Sequence, residues 1–371
     1  MRRAKALRKE EAVILIPSLH PDEKLGRYVD DLILNGFSHI VVVDDGSGPD
    51  YAHYFDNLKA KKGCVVLGYP ENKGKGFALK HGMHYIMQNL SQAPGVITAD
   101  SDGQHTAHDC LSVAEAMLSS PDQLILGSRD LLKENVPPKS KAGNRLTSFF
   151  FKLLYGHWLP DTQTGLRGIS RELMMEFIDV SGNRFEYEMN MLIHAAIHNI
   201  GFVIVPIDTI YLNENEGTHF HPIRDSWRIY KNLFGNFAKF IASSGLSTLI
   251  DILLFTLLDS VLIPALFPGF AENRNYGPVL AATVIARIAS ALFNYKVNQQ
   301  YVFRARRSKR SMLRYILLVI AVMFLSATLV NALNVLFGMH KTLAKVIVDS
   351  VLFFINYRVS KSWVFAHKLE K

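Results

Sequence analysis

The chain has 371 residues and carries 41 Lys and Arg against 33 Asp and Glu, a formal net charge of +8. Its two cysteines, Cys64 and Cys110, are too few for a disulfide framework or a cysteine-built zinc site. Apolar residues make up 49 % of it but are unevenly spread: residues 1–220 are mixed and polar, whereas apolar runs dominate from about residue 237. The length is enough for two domains. Much of the basic excess sits in Arg304–Arg314, between apolar runs and without interleaved aromatics. That placement suits a loop at an anionic membrane surface and argues against nucleic acid as a partner.

The start, Met1-Arg2-Arg3-Ala4-Lys5, is basic, and the apolar run after it, Ala12 to Ile16, is too short for a signal-peptide core. The first domain is therefore expected to stay in the cytoplasm. Val13–Ile16 reads as a buried strand stopped by Pro17, and Tyr28–Asn35 as a helix ended by Gly36. Ile40–Val43 is a second strand running into Asp44-Asp45-Gly46-Ser47, and Cys64–Leu67 a third. Phe77–Asn89 is helical; Val96–Ala99 is a fourth strand running into Asp100-Ser101-Asp102-Gly103, and Leu124–Gly127 a fifth. Short apolar runs between helical patterns indicate a mostly parallel α/β sheet. Ligands of such sheets bind at the carboxyl ends of the strands, where the two acidic pairs fall.

Asp100 and Asp102, one residue apart just past a strand, can reach one divalent cation from the same loop. Magnesium and manganese favour such oxygen ligands and keep positions open for a substrate diphosphate, although D-x-D-G is also common in solvated turns. Asp44-Asp45-Gly46-Ser47 has the same two readings, the functional one being hydrogen bonding to a base and ribose. Asn72-Lys73-Gly74-Lys75-Gly76 precedes a helix, where glycines and the helix N-terminus favour phosphate, but no Ser or Thr follows the lysine as a Walker loop requires. Gly127-Ser128-Arg129, Lys141, Arg145 and Arg167 add cations downstream. Gly182-Asn183-Arg184-Phe185-Glu186-Tyr187-Glu188 opens an amphipathic helix, as a cap or as part of a site.

In order, the chain carries I-P-S (16–18), V-V-D-D-G-S (42–47), N-K-G-K-G-x-A-L (72–79), A-D-S-D-G-Q-H (99–105), G-S-R (127–129), D-T-Q-T-G-L-R-G (161–168) and R-F-E-Y-E (184–188). Over residues 11–215 this set resembles the family-2 glycosyltransferases of GT-A fold, in the branch of dolichyl- and polyprenyl-phosphate hexose synthases. The resemblance implies a Rossmann-like α/β catalytic domain and a divalent cation, Mg2+ or Mn2+, held by Asp100 and Asp102 with Gln104 joining them. It implies donor nucleotide contacts at Pro17, Asp44, Asp45, Lys75 and Asp100. The lipid phosphate is expected at Ser128, Arg129, Arg145 and Arg167. Asp161 stands where relatives that glycosylate hydroxyls carry a base, and is expected here to orient the sugar or an arginine. Relatives often open P-x-Y-N-E; this chain has Pro17-Ser18-Leu19-His20-Pro21, leaving Asp22 or Glu23 as substitutes for the missing Glu. It also lacks the Q-x-x-R-W that resembles processive synthases, so one sugar per turnover is expected.

Past the catalytic domain, taken as 1–218, the segment 219–239 alternates Phe220, Ile223, Trp227, Tyr230, Leu233, Phe234 and Phe237 with Arg224, Arg228, Lys231 and Lys239. This suits an amphipathic helix in the membrane interface. Residues 240–371 hold four apolar stretches, about 240–263, 277–299, 313–337 and 342–362, each long enough to cross a bilayer. Basic residues crowd only the middle connection, which puts it and both termini in the cytoplasm. Asn294-Tyr295-Lys296-Val297 through Phe303 matches Asn356-Tyr357-Arg358-Val359 through Phe365, so the bundle reads as two duplicated hairpins. It resembles the four-span GtrA-like membrane domains, which accompany glycosyltransferases acting on polyprenyl phosphate. Asp251, Arg287 and Asp349 fall within spans, and Arg287 is expected to pair with Asp349 or Asp251.

The expected activity is inverting transfer of one hexose from a nucleotide diphosphate sugar, GDP-mannose or UDP-glucose first and N-acetylglucosamine left open, to polyprenyl or dolichyl phosphate. The competing reading makes the membrane domain the main actor, as a flippase or scaffold for lipid-linked sugar. Self-association of the spans into a homo-oligomer is left open. The protein is expected to be integral to the cell membrane.

Overall fold

The structure, a computed structural model, describes residues 11–130, 138–208, 222–271, 277–303, 305 and 308–365. The chain divides into two compact units, the first ending at Leu233 and the second beginning at Phe234.

The first unit is built on a seven-stranded sheet: β1 (Val13–Ser18), β2 (Ile40–Asp44), β3 (Cys64–Gly68), β4 (Gly95–Thr98), β5 (Gln123–Arg129), β6 (Arg167–Ser170) and β7 (Gly201–Ile207). Its order is β3-β2-β1-β4-β6-β5-β7, parallel except for β6, which runs antiparallel to both neighbours. Helices α1 (Glu23–Leu34), α2 (Ala52–Lys59), α3 (Lys75–Asn89) and α4 (Ala107–Ser119) alternate with the strands, followed by α5 (Pro138–Tyr155), α6 (Arg171–Phe177) and α7 (Glu186–His198). Ile14 and Ile16 of β1 share a core with Leu25, Val29 and Leu32 of α1 and Val113 of α4. Leu15, between them, turns to the other face, where a Cβ on Gly82 of α3 would lie 2.2 Å from it. With both faces covered, the strands read as unbroken apolar runs rather than alternating ones.

Two sequence expectations change here. Pro17 does not stop β1, which pairs on with β2 through Pro17↔Val43 and Ser18↔Asp44. Leu15 gives its carbonyl to Ala99, on the β4 side, and Pro17 points the same way. Pairing with β4 ends at Leu15↔Thr98, so the N–H that proline lacks has no partner to lose. Strands β6 and β7 were not expected. Arg167-Gly168-Ile169-Ser170 has no alternation to announce it and is a strand because β4 and β5 flank it.

Helix α8 (Pro222–Leu257) runs unbroken for 36 residues. The segment proposed to lie in the interface and the start of the first apolar stretch are thus one helix, with no Pro between them to end it; His219–His221 lie outside the described residues. Ile229 and Leu233 are buried, and the Tyr155 hydroxyl donates to the Leu233 carbonyl (3.0 Å), so the first turns of α8 pack on α5 inside the first unit. Trp227 stays exposed.

The second unit continues through α9 (Ile263–Leu266), α10 (Pro268–Ala271), α11 (Gly277–Val297), α12 (Lys309–Phe337) and α13 (Lys341–Val359). Among the described residues three helices, Ser226–Leu266, Gly277–Val302 and Lys309–Phe337, are long and apolar enough to cross a membrane. The expected fourth span, α13, is not among them because Lys341, Lys345, Asp349 and Arg358 interrupt its 19 residues. The duplication is visible in the backbone: α11 and α13 each run into a π-helical turn, Asn298–Val302 and Ser360–Val364. Each turn opens with the same bond four residues back, Asn298 Nδ2 to Asn294 Oδ1 (2.7 Å) and Ser360 Oγ to Asn356 Oδ1 (3.4 Å). Arg287 pairs with Asp251 (3.4 Å), and Asp349 instead takes Lys345 of its own helix (2.7 Å).

Candidate active site

The carboxyl ends of β1, β2, β4 and β5 and, because it is reversed, the amino end of β6 meet at one edge of the sheet. Ser18, Asp44 and Gly68 lie in register there. Asp100 follows β4, Arg129 ends β5, and Arg167 opens β6 opposite Thr98.

Lys75, the first residue of α3, places its ammonium 2.7 Å from Asp100 Oδ1 and 3.0 Å from Glu188 Oε1 of α7. Burial alone would raise the Asp100 carboxyl, but Lys75, His105 and Arg129 outweigh it and hold it at about 2. Burial likewise works against the Lys75 charge, and Asp100 and Glu188 overcome it, raising the ammonium above its usual range. Asp102 moves the other way: burial and the like charge of Asp100 raise it. His105 is buried, accepts the Asp100 backbone N–H on Nδ1 (3.3 Å), and is lowered mainly by burial.

The glycines explain how these loops come so close. A Cβ on Gly165 would fall 2.3 Å from Asp100 Oδ2, so the D-T-Q-T-G turn lies against the carboxylate. A Cβ on Gly74 would lie 2.5 Å from the Asn183 carbonyl, and one on Gly76 2.4 Å from Tyr187. The N-K-G-K-G glycines therefore seat the start of α3 on the R-F-E-Y-E segment. Two backbone N–H groups just before α3, Lys73 N and Gly74 N, donate to the Asp45 carboxylate (2.9–3.0 Å), which also accepts the Tyr69 hydroxyl (2.7 Å). The anion at this helix N-terminus is Asp45 itself. Asp45 thus ties the two loops together. Asp44 closes its own turn by accepting Ser47 N–H on Oδ1 (2.8 Å) and is only half-buried.

Arg129 makes a two-point pair with Asp161, Nε to Oδ2 (2.6 Å) and Nη2 to Oδ1 (3.1 Å). Asp161 is 1 % exposed, so its carboxylate aligns the guanidinium. Asn144 of α5 holds the same turn, donating to the Pro160 carbonyl (2.7 Å) and accepting Thr162 N–H (2.9 Å). The neighbouring Arg145 is exposed, and Ser128 is buried.

Other expected residues have different duties. Arg167, expected at the lipid phosphate, is 1 % exposed and donates to the carbonyls of Thr164 (3.1 Å) and Glu188 (2.7 Å). Burial lowers its guanidinium, and it underpins the acidic cluster from below. Pro17 is buried within β1. Asp22 caps α1 by accepting Lys24 N–H (2.8 Å), and Glu23 pairs with Arg27 (2.7 Å), so both substitutes for the nucleobase Glu are engaged. Gln104 donates its backbone N–H to Asp102 Oδ1 (3.0 Å), which holds it beside the acidic pair. Glu188 and His105 gained no role from the sequence. R-F-E-Y-E stood out as a motif, but nothing in the chain order says that its last acid meets Lys75.

Among the described residues no three His, Cys, Asp or Glu side chains converge on a metal position. Asp100 and Asp102 nevertheless fit a hard divalent cation. They offer two carboxylates from one loop, and a dication relieves the like-charge repulsion that raises Asp102. Two protein ligands leave the remaining positions to phosphate oxygens and water, as Mg2+ sites at phosphates do.

Residues 13–177 match the family model of glycosyl transferase family 2, and residues 239–365 that of the GtrA/DPMS transmembrane domain. An uncharacterized protein of Methanocaldococcus jannaschii is 31 % identical over 209 residues, 55 % of this chain and 84 % of that protein. The UDP-N-acetylglucosamine–dolichyl-phosphate N-acetylglucosaminyltransferase of Methanococcus voltae is 26 % identical over 217 residues, 53 % of this chain and 85 % of that protein. Among solved structures, glucosyl-3-phosphoglycerate synthase from Mycobacterium tuberculosis aligns at 15 % identity and a TM-score of 0.44, covering 60 % of this chain and 77 % of that one. The protein is a membrane-bound glycosyltransferase. It belongs to glycosyl transferase family 2, with its catalytic domain joined to a GtrA/DPMS transmembrane domain.

Proposed function

We propose that this enzyme transfers one hexosyl group from a nucleotide diphosphate sugar to the phosphate of a polyprenyl or dolichyl lipid, inverting the anomeric centre. The observation that carries the reading is the meeting of the Asp100–Asp102 loop with the Arg129–Asp161 pair at one sheet edge, in a chain that continues into apolar helices. The first is an acid site for a cation and diphosphate, the second a cation site for an acceptor phosphate, and Arg145 adds an exposed charge on α5. The dolichyl-phosphate acceptor in the name of the Methanococcus voltae relative supports the same acceptor class.

An acceptor phosphate monoester has its second pKa near about 6, so it is mostly dianionic at neutral pH and needs no general base. Asp161 accordingly positions Arg129 rather than accepting a proton. Bound at Asp100 and Asp102, a divalent cation would neutralise charge on the departing diphosphate. Asp44 would meet the nucleotide, and Lys75, held by Glu188, would stand beside the diphosphate. The domain limits belong to this reading: a cytoplasmic catalytic domain over 1–218, a juxtamembrane segment over 219–239 and membrane spans from 240 onward. Both termini stay in the cytoplasm.

The test is transfer of radiolabelled sugar from GDP-mannose, UDP-glucose and UDP-N-acetylglucosamine to polyprenyl phosphate by the purified protein, with and without EDTA. EDTA-sensitive labelling of the lipid by one donor is expected. Labelling of another lipid class, or none by folded protein, would overturn the acceptor assignment.

A further inference from the structure

One ammonium is shared between two acids at the sheet edge. Lys75 Nζ lies 2.7 Å from Asp100 Oδ1 and 3.0 Å from Glu188 Oε1, and all three side chains are mostly buried. The two acids differ in what else they can do. Asp100 belongs to the acidic loop suited to a divalent cation, whereas Glu188, at the start of α7, spends its side chain on Lys75. The Glu188 main-chain carbonyl accepts from Arg167 Nη1 (2.7 Å), which fixes the start of α7.

The backbone around this ammonium has little room to move. A Cβ on Gly76 would lie 2.4 Å from Tyr187, and the Phe77 N–H donates to the Asn183 carbonyl (2.9 Å), so α3 and the start of α7 are seated on one another. Asp100 is equally confined: a Cβ on Gly165 would fall 2.3 Å from its Oδ2 and 2.6 Å from its Oδ1. The long, flexible stem of the lysine is the adjustable part. A dication ligated by Asp100 puts two positive charges beside the ammonium, and like charges at that range repel strongly in a partly buried site. Of the cations near Asp100, Lys75 pulls its carboxyl down most, so it is the chief competitor for that carboxylate.

We propose that Lys75 competes with the divalent cation for Asp100, and that Glu188 is the positioning residue that takes the ammonium over when the cation binds. This device presupposes the cation at Asp100 and Asp102 proposed above, and gives the lysine a second partner during the exchange. With Glu188 present, Asp100 gives up its ion pair without leaving a buried ammonium unpaired, the situation in which breaking a pair costs most. Without Glu188 the ammonium has Asp100 alone and holds that carboxylate against the metal. Glu188 therefore acts through Lys75, and the lysine keeps its place at the sheet edge while the cation comes and goes.

The experiment is titration of the purified full-length protein in detergent with Mn2+ alone, the free ion being read by electron paramagnetic resonance. Lys75→Gln removes the competing charge and is expected to bind Mn2+ about tenfold tighter, the factor that one pKa unit represents. Glu188→Gln leaves the ammonium to Asp100 and is expected to weaken Mn2+ binding by a similar factor. Glu188→Asp keeps the charge but draws it back from the lysine, and is expected to weaken Mn2+ binding likewise. In Lys75→Gln/Glu188→Gln the Glu188 effect is expected to vanish, because no lysine is left to hold. Unchanged affinity in Lys75→Gln or Glu188→Asp, or a Glu188→Gln loss that persists in the double variant, would overturn the proposal and leave the cation assignment standing. Should Lys75→Gln not fold, Glu188→Asp against wild type decides alone. Asp102→Asn is expected to lose Mn2+ binding; equal binding by it and by wild type would overturn the cation assignment, and the Lys75 exchange with it.

Discussion

In the catalytic unit Lys75 lies between Asp100 and Glu188, three residues brought together from the start of α3, the loop after β4 and the start of α7. In the membrane unit Lys345 lies against Asp349 on the same helix, and Arg287 of α11 against Asp251 of α8. The side-chain types are the same and the arrangements opposite. At the sheet edge, charges of both signs gather on converging loops, so an incoming cation and phosphate can exchange partners with them. In the apolar helices Asp251 and Asp349 are each matched by a nearby cation, because an unpaired charge in hydrocarbon is costly. Charges therefore converge from distant loops in one unit and pair locally in the other.

The largest test of that contrast is loss of an acid from each unit. Asp102→Ala is expected to lower sugar transfer about a hundred- to a thousandfold, the scale of removing one preorganised electrostatic group. Asp251→Asn should leave transfer near wild type. Equal losses in a radiolabel assay would erase the distinction. Next comes the buried pair behind the acceptor site. Arg129→Ala strands Asp161, which is 1 % exposed, and should cost about 3–5 kcal/mol of stability by denaturant titration. Arg129→Ala/Asp161→Asn should regain most of that stability but none of the transfer. Recovery of both would deny Arg129 a part in the reaction.

Smaller effects sharpen the membrane side. A double-mutant cycle of Asp251→Asn and Arg287→Gln, read as unfolding in detergent, is expected to give a coupling of about 0.6 kcal/mol, typical of polar contacts between membrane helices. No coupling would mean that the two charges are satisfied separately. Smallest is the response of the cysteines. Burial pushes the Cys64 thiol up to about 11 and Cys110 up to about 12. A thiol-specific disulfide reagent at pH 8 should modify neither in folded protein and both after denaturation; rapid reaction of Cys110 would show that α4 opens readily.

Several features were legible in the chain because they are local or repeated. Apolar runs marked β1 to β5, and acids just past two of them marked the sheet edge where the charged loops gather, since parallel strands all deliver their following loops to the same side. The duplicated Asn-Tyr endings foretold two alike helix ends, and both end in a π-helical turn. Other features depended on partners distant in sequence. Asp44 and Asp45 are adjacent and chemically alike, yet Asp44 accepts only from its own turn, while packing against Lys73, Gly74 and Tyr69 ties Asp45 to a distant loop. Arg167 reads as one more cation after G-L, and only the reversed strand between β4 and β5 buries it. Residue order set which groups reach the sheet edge. Tertiary packing decided which of them spend their oxygens and nitrogens on the protein itself, because that choice turns on distances of about 3 Å between loops far apart in the chain.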